Sequence, residues 1–189
     1  MIGLFGGAFD PPHRGHVEVA RRAKEELGLE RLLVLVAARP GHKDVVTPAD
    51  VRLRLAQAAF PDDEVVLDDH ARTIETLDAH PEWSDPVFLI GADEFCDFLS
   101  WTRPNEVLER TRLAVATRPG FPRERLHSVL EQLDQPERVL FFELEPQPVA
   151  SRDLRARLKA GEDVAGEVPS AVAAIIDREM LYGRGTGVH

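Results

Sequence analysis

The stretch Gly6-Gly7-Ala8-Phe9-Asp10-Pro11-Pro12-His13-Arg14-Gly15-His16 decides how the chain is read. An apolar run, Met1 to Phe5, precedes it and a helical pattern follows. It therefore reads as the turn between a first strand and a first helix. Glycines at 6 and 7 leave no Cβ to hold a ligand off the backbone. Pro11 and Pro12 delay the helix. His13 and His16 stand three apart, which predicts that both imidazoles share one face of a helical turn. A helix N-terminus offers unpaired N–H groups and the positive end of the macrodipole, and both suit an anion. The stretch is a candidate phosphate cradle. A metal half-site is disfavoured, because no Cys or Glu stands at ligand spacing from the histidines. The G-x-G-x-x-G fingerprint and the Walker lysine loop are both absent from the sequence.

Outward from this turn the pattern alternates. Val17, Ala20, Ala23 and Leu27 recur at helical spacing, and Gly28 is placed as a C-cap. Leu32 to Val36 is a continuous apolar run, which suits a parallel strand covered on both faces. Further strand-length runs fall at Val65–Leu67, Pro86–Ile90, Leu113–Ala116 and Val139–Phe142. Helical patterns lie between them. One opens at Thr47-Pro48, with Thr47 as N-cap and Pro48 as first helical residue. A closing helix runs from Val168 to Tyr182 with Val172, Ile175, Ile176 and Met180 inward. Strands alternating with helices predict an α/β fold: a Rossmann-like, open, mostly parallel sheet with helices on both faces. We expect one domain over 1–182 and a flexible glycine-rich tail over 183–189.

The 189 residues are 43% hydrophobic and 30% charged, with a net charge of −10. That composition suits a soluble globular domain. The acidity argues against a nucleic-acid or membrane-surface binder, whose footprint would be basic. Any anion site must be a local positive island. The single Cys96 excludes an internal disulfide and fits a reducing cytoplasm. No stretch approaches the ~20 apolar residues of a membrane span, and the N-terminus lacks the basic-then-apolar order of a signal peptide.

Polar residues cluster after the runs, where open parallel sheets bind ligands. Arg39-Pro40-Gly41-His42-Lys43 follows the second strand. Asp68-Asp69-His70 follows the third and reads more readily as a polar strand end than as acid–base or metal chemistry. Thr73 opens the third helix. Gly91-Ala92-Asp93 ends the fourth strand, where Asp93 could accept from ribose hydroxyls or cap a short helix. Trp101 offers a flat face to a heterocycle, whereas Trp83 has no motif around it and reads as structural. Arg118 follows the fifth strand. Ser151 reads as an N-cap, followed by Arg152, Arg155, Arg157 and Lys159, a basic density suited to phosphate.

Gly7, Phe9, Asp10, Pro11, His13, Gly15 and His16 match the Gly-x-Phe-Asp-Pro-x-His-x-Gly-His signature. The chain thereby resembles the nucleotidylyltransferases that move a nucleoside monophosphate without a covalent intermediate. Five features narrow the resemblance to the bacterial nicotinate mononucleotide adenylyltransferases. They are Pro40-x-His42-Lys43, Thr73 with Thr76-Leu77, Gly91-x-Asp93 followed by Trp101, Arg118-Pro119-Gly120, and the closing Leu181-Tyr182-Gly183. The resemblance implies transfer of adenylyl from ATP to nicotinate mononucleotide, giving deamido-NAD and pyrophosphate by direct in-line attack. It implies His13, His16 and Arg155 as catalytic. It places ATP among Gly6, Gly7, Ala8, Phe9, His13, His16, Gly91, Asp93, Arg118, Ser151, Arg152 and Arg155. It assigns the mononucleotide to Asp10, His42, Lys43, Thr73 and Trp101. Mg²⁺ is implied, held mainly by the ATP phosphates, and a homo-oligomer is allowed.

Three departures stand out. Arg72 replaces the family's Tyr, Ala150 its first Ser, and Arg152 its Thr. The sequence leaves open a nicotinamide mononucleotide or pantetheine-phosphate adenylyltransferase, and a non-catalytic nucleotide-binding protein.

Overall fold

The computed structural model describes residues 1–41, 45–145 and 149–183. Six parallel strands form one sheet: β1 (Ile2–Gly7), β2 (Arg31–Ala37), β3 (Glu64–Asp68), β4 (Val87–Gly91), β5 (Arg112–Thr117) and β6 (Val139–Glu143). Their order is β3-β2-β1-β4-β5-β6, so the chain reverses direction across the sheet between β1 and β4. Eight α-helices cover it: α1 (Arg14–Leu27), α2 (Ala49–Ala59), α3 (Thr73–Ala79), α4 (Ala92–Cys96), α5 (Pro104–Arg110), α6 (Arg123–Leu130), α7 (Ser151–Lys159) and α8 (Ser170–Arg178).

The apolar runs become strands because both sheet faces are buried. Along β2, Leu32, Val34 and Val36 join one core with residues of α1, α2, α7 and α8. Leu33 and Leu35 join the other with residues of α3, α5 and α6. Leu4 and Phe5 of β1 divide between the same two cores. Period-2 alternation with no polar face gives the uninterrupted apolar run. Gly28 closes α1 in the left-handed conformation, φ 63°.

The sheet opens at the reversal. β1 pairs with β2 as far as Gly7 opposite Val36, and β4 pairs with β5 as far as Gly91 opposite Ala116. β1 and β4 pair only over Gly3–Phe5 and Val87–Leu89. Beyond Phe5 and Leu89 the central strands part, which is where a parallel sheet makes its crevice.

Several local expectations are corrected. Pro48, not Thr47, is the N-cap of α2, because the Thr47 hydroxyl donates instead to the buried Asp10 carboxylate. Ala150 is the N-cap of α7, and Ser151 is its first residue, with Oγ donating to the Pro11 carbonyl at 2.8 Å. Gly91 caps α4 and leaves Asp93 inside the first turn. The closing helix stops at Arg178, Met180 is exposed, and Tyr182 lies in a separate short 3₁₀ turn, Leu181–Gly183. That turn includes Gly183; the rest of the expected tail, 184–189, lies outside the described residues, as do His42, Lys43 and the stretch 146–148.

The glycines of the opening turn answer to packing as well as to ligands. A Cβ on Gly7 would sit 2.8 Å from the Phe9 ring, and one on Gly6 would sit 3.0 Å from Phe88. A Cβ on Gly91, at φ −81°, would meet nothing within 4 Å. We expect Gly7→Ala to lower stability by about 1–3 kcal/mol through overpacking and Gly91→Ala to leave it within about 0.5 kcal/mol. Urea denaturation of the two variants separates a packing glycine from a clearance glycine; equal losses would reject the distinction.

Candidate active site

The parted strands open into two lobes. The first, about 640 Å³, lies between the C-terminal ends of β1, β4 and β5 and the N-termini of α1 and α7. Every residue expected around ATP lines it, from the Gly6–Phe9 turn through Gly91, Asp93 and Arg118 to Ser151, Arg152 and Arg155. The second, about 600 Å³, lies on the β2 side, with Arg39, Pro40, Gly41, His70, Arg72, Thr73 and Trp101 in its wall. The lobes share Gly6, Gly7, Ala8 and Glu94. They therefore meet at the turn with which the sequence argument began.

The histidine pair sits at the N-terminus of α1. His13 is the N-cap in extended conformation, φ −136°, and His16 is the third helical residue. The His13 backbone N–H donates to His16 Nδ1 at 3.2 Å. A neutral His16 accepting at Nδ1 carries its proton on Nε2. The two rings lie 3.7 Å apart at 36°, and Phe9 packs edge-on against His16 at 5.1 Å. Phe9 is buried at a left-handed φ of 50°. The rings of Phe5, Phe60 and His16 hold it there. His13 is only 8% exposed, and its Nδ1 is buried with no hydrogen-bond partner among the described residues. Burial holds its pKa down to about 4, so the ring is neutral at pH 7. A buried polar atom without a partner costs about 1–3 kcal/mol, and such atoms collect where a site awaits a ligand.

α7 holds the turn from the other side. Arg155 Nη1 donates to the Asp10 carbonyl at 2.7 Å, and Ser151 holds the neighbouring Pro11 carbonyl. Arg152 lies exposed on the first lobe's rim. Asp93 is exposed, 3.9 Å from Arg118 and 3.8 Å from Arg125. Asp10, expected against the mononucleotide, is 1% exposed and borders the first lobe, not the second. Its carboxylate accepts from Val46 N–H at 2.7 Å, from Thr47 and from the Tyr182 phenol at 2.7 Å.

In the second lobe Trp101 is half-buried, fixed edge-on by Phe98 at 5.2 Å and Phe88 at 6.2 Å. Asp68 ties the end of β3 together, bonding His70 Nδ1 at 2.8 Å and the Thr76 hydroxyl at 2.7 Å. That is the polar strand end the sequence favoured, although His70 also faces the lobe. Trp83 stacks on His80 at 4.1 Å, away from both lobes.

Sequence reasoning missed two residues. Arg52, 1% exposed, donates to the carbonyls of Thr47, Ala8, Ala37 and Ala38. The second is Tyr182, 172 positions from the Asp10 it bonds. Arg52 had a readable signal, since it shares the i, i+3, i+4, i+7 face with Leu55, Ala56 and Ala59.

The cytidylyltransferase-like family profile matches residues 4–157. A Thermus thermophilus protein named "Probable nicotinate-nucleotide adenylyltransferase" is 35% identical over 96% of this chain and 98% of its own length. A Rubrobacter xylanophilus protein of the same name is 33% identical over 96% of this chain and 91% of its own. The chain belongs to the nicotinate-nucleotide adenylyltransferase family. Among solved structures, the nicotinic acid mononucleotide adenylyltransferase of Plasmodium falciparum complexed with NaAD shares the fold. Its TM-score is 0.74 at 17% identity, covering 97% of this chain and 98% of that one. No helix among the described residues is long and apolar enough to cross a membrane.

In this family member the buried His13 should couple stability to pH. Above pH 6.5 the ring is neutral whether folded or unfolded. Below that, the unfolded chain takes up a proton that the folded site refuses until about pH 4. We expect stability to fall across this window by up to roughly 3 kcal/mol from this group, and His13→Asn to flatten that part of the profile. Denaturation midpoints at pH 7 and 4.5 check it. Inorganic tripolyphosphate, placed beside the ring, should raise the His13 pKa, as read by NMR titration.

Proposed function

We propose that the two lobes bind ATP and nicotinate mononucleotide, and that the protein transfers adenylyl between them, giving deamido-NAD and pyrophosphate. The observation that carries this reading is the junction of the lobes at Gly6–Ala8. A triphosphate lying over the histidines and a mononucleotide seated beside Trp101 would bring their phosphates together there.

The chemistry follows from positioning. An oxygen of the mononucleotide phosphate attacks the ATP α-phosphorus. The bond to the β-phosphate oxygen breaks, and pyrophosphate leaves with the electron pair. No side-chain nucleophile takes part. His16 Nε2–H and His13 donate to phosphate oxygens as charge builds, and Arg155 and Arg152 neutralise the leaving group. Arg155 also fixes the turn through the Asp10 carbonyl, so it acts on both position and charge. Trp101 gives the pyridine ring a flat, preset face. Among the described residues no three His, Cys, Asp or Glu side chains converge on a metal site. An escorting Mg²⁺ would take its ligands from phosphate oxygens and water and supply further charge neutralisation. A cytoplasmic location completes the proposal.

Mixing ATP, Mg²⁺ and nicotinate mononucleotide should release pyrophosphate. Nicotinamide mononucleotide and pantetheine phosphate in parallel should be poorer acceptors. Tight ATP binding with no pyrophosphate from any acceptor would favour a nucleotide sensor instead. His16→Ala should cut kcat by about 10²–10³, the scale of losing a preorganised oxyanion donor, with little change in Tm. Near-normal turnover in the folded variant would remove His16 from the mechanism. Gly91→Ala, harmless to stability, should raise the KM for ATP.

A further inference from the structure

Tyr182 lines neither lobe, yet it reaches the motif that joins them. Its chain segment is bent to deliver it: Met180, Tyr182 and Gly183 all take left-handed φ values, 49°, 63° and 71°. A tyrosine adopts that conformation only where its surroundings demand it. Here the demand is a hydrogen bond. The phenol donates to Asp10 Oδ1 at 2.7 Å, and the Thr47 hydroxyl donates to the same oxygen while lying 3.2 Å from the phenol oxygen. Val46 N–H holds the other carboxylate oxygen. Burial pushes the phenol's pKa up, so it stays a neutral donor.

Val46 and Thr47 line neither lobe themselves, whereas Ala37 and Arg39, at the end of β2, line the second. Arg52 ties Thr47 to that wall, donating to the Thr47 carbonyl and to those of Ala37 and Ala38. The Asp10 side chain thus anchors the second-lobe wall. Its carbonyl is held independently by Arg155, and the next residue by Ser151.

We infer that Tyr182 is a positioning residue: through the Asp10 carboxylate it fixes Val46 and Thr47, and so sets the affinity of the second lobe for the mononucleotide without touching it. This rests on the functional reading above for its choice of ligand. Asp10 itself keeps its backbone anchors when the phenol is lost, so the histidines and the ATP lobe stay in place.

The test is Tyr182→Phe, which keeps the ring and removes the hydroxyl, beside Thr47→Val and the conservative Thr47→Ser. Tyr182→Phe and Thr47→Val should each raise the KM for nicotinate mononucleotide about tenfold. The KM for ATP and kcat should stay within twofold, and Thr47→Ser should restore the wild-type value. The double variant should be little worse than either single one, because both hydroxyls act through one carboxylate. Amide exchange at Val46 should quicken at least tenfold in Tyr182→Phe, a readout that needs no substrate. Wild-type turnover with unchanged mononucleotide KM and unchanged Val46 exchange in both variants overturns this inference alone. Equal loss in both KM values and kcat, tracking Tm, reduces Tyr182 to a structural role and also overturns it. A wild-type protein that releases no pyrophosphate overturns the functional reading, and the assignment of the mononucleotide falls with it.

Discussion

One buried guanidinium holds the crevice in shape. Arg52 comes from α2, on the helical layer beneath the site, and its three nitrogens donate to four backbone carbonyls. Ala8 belongs to the motif turn, Ala37 and Ala38 to the end of β2, and Thr47 to the entry into α2. Ala8 and Ala37 border the second lobe, so the guanidinium satisfies backbone carbonyls at the edge of the crevice. A charge so deeply buried needs compensation. Asp10 provides it at one remove, since Thr47 accepts from Arg52 with its carbonyl and donates to Asp10 with its hydroxyl. The cation, the anion and the residue between them form one unit. Removing either charge would leave the other stranded, at a cost of about 3–5 kcal/mol in comparable buried pairs.

The first lobe sets Arg118, Arg152 and Arg155 among Asp10, Asp93, Glu94 and Glu145, within a chain of net charge −10. Screening makes this workable, because exposed charges beyond about 8 Å count for little at physiological ionic strength. Arg118 on the rim, and Arg125 next to it across the Phe121 ring, make only long ion pairs. Arg118 and Arg125 approach Asp93 only to 3.9 and 3.8 Å, and all three are exposed. Pairs of this kind are worth about 0–1 kcal/mol, so they hold those guanidinium groups only weakly. The deeper groups are held differently. His13 is kept neutral by burial, and Arg155 is committed to the Asp10 carbonyl. The lobe therefore has a rigid floor that sets geometry and an adjustable rim that supplies charge.

Much of this was legible in the residues, and the reasons are particular. The strands announced themselves because a doubly covered sheet tolerates no polar residue on either face, as Leu32 to Val36 show. Gly28 and the His13/His16 spacing were readable because their causes lie within one turn of chain. Thr47 misled for the same reason. Beside Pro48 it has the local mark of an N-cap, but a buried carboxylate 37 positions away outcompeted the helix for its hydroxyl. Gly6 and Gly7 were read as clearance for a ligand, and the nearest occupants are Phe88 and Phe9. Tyr182 stood in the closing Leu-Tyr-Gly pattern, but nothing local pointed to its partner, since the bond that explains it spans the chain.

The departure at Ala150–Arg152 takes on a different meaning once α7 is in place. Ala150 and Arg152 each stand where the resemblance has a hydroxyl-bearing residue. In the structure the hydroxyl that remains, Ser151, serves the Pro11 carbonyl, so at this helix start a hydroxyl also works on the motif turn. Ala150 gives α7 no side-chain cap. The first amides of α7 are thereby left to other acceptors, and an anion at a helix N-terminus is favoured by about 0.3–1 kcal/mol at exposed sites. Arg152 adds a full positive charge on the same rim. Hydroxyl groups are exchanged for a helix start with no side-chain cap and an exposed guanidinium. That exchange loses fixed geometry and keeps the electrostatic attraction, and the fixed geometry is what Arg155 and Ser151 already secure through the motif turn.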